Sequence, residues 1–187
     1  MATISSGTER VRTLYSVMAG VPTPAVHLDF WRQEVGGRNV NRPSDLQLLA
    51  GSTQPECGAL ACGIGFACAY PPFMAKGLSW YHYQLAGSGG CPQFLDKNGK
   101  RFTNFEAASK FFFLSGKETF AMFAYSVSAD SAVFADRDVN VFDSPLSDKQ
   151  HLLMRIRNYL YQKGLLTGAR YNELRAMERA DSFDLSY

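Results

Sequence analysis

The chain has 187 residues, of which 46% are apolar and 19% charged, with a formal net charge of +2. That length suits one domain with a substantial core rather than two. So small a charge excludes the electrostatic footprint of a nucleic-acid or anionic-membrane binder. Glu9, Arg10 and Arg12 stand where a secretory signal needs an apolar stretch, so the expected setting is a reducing cytosol with free thiols.

Residues 8–19 place Val11, Leu14, Tyr15 and Met18 at helical spacing, with Thr8 as the cap and Gly20 as the stop. Pro22 and Pro24 then keep the chain extended, and residues 26–31, VHLDFW, read as a short strand or edge segment. A polar, glycine-bearing loop carrying Arg38 and Arg42 runs from Gly36 to Ser44, and 45–50 could add a helical turn.

The run from Cys57 to Ala75 has no charge and holds three of the four cysteines. It predicts a helix from about Gly58 to Tyr70, ended by Pro71-Pro72 and too short to span a membrane. Gly63 and Gly65 inside it each cost about 1 kcal/mol relative to Ala. A packing reason is at hand, because Gly58, Cys62, Gly65 and Ala69 share one small-residue face. Leu60, Ile64 and Ala67 make the other side apolar too, so this helix is expected to be buried all round.

Residues 78–85, LSWYHYQL, fit strand or helix equally well, and Gly87–Gly90 is a loop. The DKNG turn at 96–99 predicts a hairpin of 93–96 with 100–103. Thr103 and Glu106 form a capping box for a helix through Ala107, Phe111 and Leu114. A helix over 117–126 carries Phe120, Met122, Phe123 and Tyr125, and an acidic loop follows over 127–146. Ser147 and Gln150 cap a helix over 148–163, with Leu152, Leu153, Ile156, Tyr159 and Leu160 on one face, Arg155 and Arg157 off it, and Gly164 as the stop. Thr167 caps a last helix through Tyr171, Leu174 and Met177. The expected fold class is therefore mainly α. Five or six helices surround a buried central helix, with at most a small hairpin or short strands, in one domain over 1–187 whose ends, 1–7 and 181–187, are frayed. Fourteen Phe and nine Tyr predict an aromatic-rich core.

Three features could carry chemistry or binding. Cys57 lies at the expected helix N-terminus, where the dipole and unpaired amides lower a thiol's pKa and could bind an oxyanion. A cysteine nucleophile also needs an imidazole, and the chain offers His27, His82 and His151. His82 and His151 are the candidates, though nothing in the sequence brings either to Cys57. The alternative is that Cys57 is a small apolar residue at a core entrance. From 130 to 148, Asp130, Asp136, Asp138, Asp143 and Asp148 stand against Arg137 alone, a local net of −4 that leaves +6 for the rest. This is a candidate binding surface or a solvated loop. The cysteine spacings do not suit zinc. Asp136-Arg137-Asp138-Val139-Asn140 opens like a calcium loop but has Val141 and Ser147 where Gly and Glu belong. No phosphate-binding glycine loop is present, so neither metal nor cofactor is expected.

The stretch Cys57-Gly58 with Cys62, Gly65 and Ala67 resembles the CG-x-x-x-C-x-x-G-x-A core of small phage and prophage proteins. His27–Trp31, Gly77-Leu78, Met122-Phe123 and Met154-Arg155-Ile156 fall in a similar order. Two departures are Ala59, where many such proteins carry a hydroxyl, and the absence of a Trp-Pro element after the Phe. The resemblance implies a phage origin and action in the infected cell, and it implies no reaction. The expected function is a non-catalytic accessory protein in the host cytoplasm that binds a host or viral macromolecule in counter-defence or host takeover. A thiol hydrolase or transferase using Cys57 and a virion component are the alternatives.

Overall fold

The structure is a computed structural model that describes residues 6–21, 23–26, 28, 32–34, 59–82, 90–124 and 146–180. In chain order these form α1 (Gly7–Ala19), a 3-10 turn at Thr23–Ala25, β1 (Arg32–Glu34), β2 (Ala59–Ala61), α2 (Gly63–Ala69), α3 (Pro71–Met74), β3 (Leu78–His82), β4 (Gly90–Leu95), β5 (Arg101–Thr103), α4 (Asn104–Phe112), α5 (Gly116–Phe123), α6 (Asp148–Gln162) and α7 (Gly168–Ala180). The fold is mainly helical, as expected, in one small domain.

Most of the longer helices start where a side chain satisfies the orphan amides of the first turn. Ser6, not Thr8, caps α1. Its hydroxyl accepts from the Glu9 amide and the Glu9 carboxylate accepts from the Ser6 amide. That reciprocal pair needs the acidic residue three positions on, which Ser6 has. Ser115 with Glu118 does the same for α5, and Ser147 with Gln150 for α6, as the sequence predicts. The Thr167 hydroxyl accepts from the Arg170 amide at the start of α7. The expected box at Thr103 does not form. Thr103 makes no side-chain cap and Asn104 takes φ +54, which turns the first residue of α4 out of helical geometry. The expected glycine stop after α6 is present, with Gly164 N donating to Tyr161 O and Leu165 N to Leu160 O.

The charge-free run is not one helix. Residues 59–61 form β2, which pairs antiparallel with β1 in the register Arg32↔Ala61, Gln33↔Leu60 and Glu34↔Ala59, and Ala61 also bridges Val26 in parallel. Cys62 is the N-cap, α2 covers only 63–69, and Tyr70 is extended ahead of the prolines that open α3. Pairing to β1, more than twenty residues earlier, overrides local helical spacing here. The α2 segment is buried along its whole length, as expected. Its close approach is made by Gly63, where an added Cβ would lie 2.6 Å from Leu152 Cδ2 on α6.

The hairpin forms as expected and gains a strand. Asp96 Oδ1 accepts from the amides of Asn98 and Lys100, and Gly99 takes φ +76, which favours glycine. Residues 78–82, undecided by the sequence, add as β3 with Leu78↔Phe94 and Tyr81↔Cys91, while Phe94↔Phe102 joins β4 to β5. The sheet rests on α4, and α1, α5 and α7 pack on α6. Between them lies an aromatic core. Phe73 meets Phe111 at 5.1 Å and Phe112 at 5.7 Å, edge to face, and Phe112 meets Phe123 at 5.8 Å.

Candidate functional site

Helix α6 carries the described groups with the most distinctive chemistry. Lys149 to Leu160 are all buried, including Arg155 and Arg157, each 1% exposed. This corrects the expectation that both arginines lie off the buried face. The two stand about 200° apart around the axis, so α6 presents polar groups to two sides and each side needs partners.

On one side Arg157 Nη1 donates to Glu178 Oε2 on α7 at 2.7 Å, and its guanidinium lies 4.5 Å over the Tyr171 ring. The Tyr15 hydroxyl on α1 donates to Glu178 Oε1 at 2.8 Å, and Gln150 Nε2 to Glu178 O at 2.9 Å. Burial, then the neighbouring Glu178 carboxylate, raises the Tyr15 phenol and keeps it a donor. This network ties α1, α6 and α7 together. Leu174 on α7 is buried as expected, but Met177 is exposed, because the turn that carries it gives its inward position to Glu178.

On the other side Asp148, His151 and Arg155 follow at i, i+3 and i+7 along one face. Asp148 Oδ2 accepts from the Leu28 amide at 2.9 Å. Arg155 Nη1 donates to Ala124 O at 2.6 Å. Neither Arg155 Nη2 nor His151 Nδ1 has a hydrogen-bond partner among the described residues. Seven residues along a helix is about 10 Å, where opposite unit charges attract by about 1.6 kcal/mol at an effective dielectric of 20. The desolvation of a buried ion costs several kcal/mol. Burial therefore wins over Asp148, and the Arg155 pKa falls to about 10, still protonated at neutral pH. The His151 pKa is lowered by burial and then by Arg155, against an upward pull from Asp148. The imidazole is therefore neutral at pH 7. Such an imidazole could accept a proton from a nucleophile brought to Nδ1.

The thiols tell the same story of burial. Cys62, rather than the expected Cys57, sits at the N-cap of a helix. Burial raises its pKa to about 11, although the Gly65 and Ile64 amides pull it down. Burial also raises Cys68 well above its ordinary value, with Cys62 and Cys91 adding to the rise. No group of three or more His, Cys, Asp or Glu side chains that could hold a metal occurs among the described residues.

Of the candidate residues, Cys57, His27, Asp130, Asp136, Asp138 and Asp143 lie outside the described residues. His82 ends β3 on the sheet side of the molecule, paired with Gly90, and its side chain is outside the description. Asp148 is not a free loop charge. It is the first residue of α6, half-buried and holding the Leu28 amide. The Arg157–Glu178–Tyr15 network had one sequence signal, the seven-residue spacing of Gln150 and Arg157, which puts two polar side chains on one side of α6.

No protein-family model matches the chain, and neither does any curated protein or solved structure. No helix among the described residues is long and apolar enough to cross a membrane.

Proposed function

We propose that the chain is a phage-encoded accessory protein that acts by binding a host or viral macromolecule, without catalysis, in the cytoplasm of the infected cell, to blunt a defence or redirect host machinery. The observation that supports this reading best is where the reactive groups sit. His151, Cys62, Cys68 and Cys91 are buried, and the shifted thiols are held protonated, so these groups serve packing rather than an open site. Large apolar side chains face solvent instead, with Phe113 68% and Met177 60% exposed. They suit the aromatic and methionine-rich composition of contact surfaces. The phage origin rests on the residue pattern from Cys57 to Ala67 and on the order of the segments from His27 to Ile156.

The test is recovery of a partner from infected-cell lysate on immobilised protein. It is run beside a variant with Asp130, Asp136, Asp138 and Asp143 changed to Asn, and Asp148 kept because it holds the Leu28 amide. A partner retained by the wild type and weakened in the variant supports an acidic docking face. Recovery of no partner by either protein would sink the reading.

A further inference from the structure

A cavity of about 400 Å³ opens between α1, the C-terminal turn of α6 and the first turns of α7. Small-ligand sites begin at about this size, roughly 300–1,000 Å³. Its lining combines Leu165 and Leu166, which are half-buried, the small exposed parts of the buried Leu160 and Leu174, and two arginines, Arg12 and Arg170. Arg12 is tied to the turn after α6, since its Nη2 donates to Leu165 O. Arg170 pairs with Glu173 through Nη1, which leaves its remaining N–H donors for another acceptor. Tyr15 also lines the cavity, but its hydroxyl is committed to Glu178, so it adds ring surface rather than a donor. The cavity therefore combines hydrocarbon contact with two cations, and the two carboxylates tied to its lining are already paired, Glu173 with Arg170 and Glu178 with Arg157.

We propose that this cavity binds an aliphatic carboxylate, with its hydrocarbon chain laid mainly on Leu165 and Leu166 and its carboxylate held between the Arg12 and Arg170 guanidiniums. Apolar burial supplies the contact and the charge-assisted bonds select the head group. A neutral alcohol of equal length fills the same apolar space but forfeits those bonds, so it should bind about tenfold more weakly.

The test is titration of the whole chain with decanoate and with 1-decanol, followed by amide chemical shifts. Decanoate should move resonances of 12–16 and 160–174, and 1-decanol should move the same set at about tenfold higher concentration. In R170Q, which leaves the Arg12–Leu165 bond in place, decanoate should weaken severalfold while 1-decanol is unchanged. In L166W, whose indole would fill the apolar space, both should be lost with the fold retained. Equal affinity for acid and alcohol in the wild type, or shifts centred elsewhere on the molecule, would overturn the proposal.

Discussion

Removing Glu178 should be among the most damaging single changes in the described part of the chain. In E178A the Arg157 guanidinium keeps its buried position but loses its carboxylate. Breaking a buried pair from one side costs about 3–5 kcal/mol. The Tyr15 hydroxyl loses its acceptor as well, which adds about 1 kcal/mol. The sum, about 4–6 kcal/mol, consumes much of the roughly 5–15 kcal/mol that holds a typical domain together. At about 2–4 °C per kcal/mol for a chain of this size, Tm should fall by about 10–20 °C. Replacing both partners by leucine removes the stranded charge, so R157L/E178L should recover most of the loss. Urea and thermal denaturation of the two single variants and the double variant measure this directly. A loss under about 1 kcal/mol in E178A, or a double variant worse than either single one, would refute the buried network.

Two further changes probe α6 from other directions. In G63A the new methyl group meets Leu152, and overpacking at about 1–3 kcal/mol should exceed the gain of up to about 1 kcal/mol in helix propensity. A net loss in urea midpoint is expected, and a gain would mean that α2 and α6 are not in close contact. The lowered His151 pKa makes stability depend on pH with a definite sign. Between the folded value and the unfolded value near 6.5 the unfolded chain binds more protons, so stability is fully present above about 6.5 and declines as pH falls through that window. Stability curves of wild type and H151F should diverge below that pH, the variant losing this part of the slope. Parallel curves would show that the imidazole is not buried neutral.

What the sequence discloses and what it hides divide along the range of the forces involved. The Ser147–Gln150 box, the DKNG hairpin and the Gly164 stop are local. Each needs only residues within six of one another, so each is legible in the chain. Cys62 as the helix start is not, because β2 exists through its pairing with β1 and takes residues 59–61 away from the helix. The two arginines of α6 are hidden for the same reason. An arginine beside an apolar stripe defaults to solvent, and only Glu178, 21 positions on, and the Ala124 carbonyl, 31 positions back, hold them inside. Thr103 and Glu106 show the converse failure, a correct local pattern lost because Asn104 adopts positive φ. The candidate site is the least legible part. Its sequence candidates lie largely outside the described residues, while the described polar groups of α6 acquire their character from tertiary burial.

The claim that this chain binds rather than catalyses turns on its thiols, and residue-resolved labelling of the native protein tests it most directly. Cys62, Cys68 and Cys91 are buried and should react only on unfolding. Cys57 should react no faster than free cysteine. A Cys57 that labels many times faster at neutral pH would contradict the claim and identify a nucleophile.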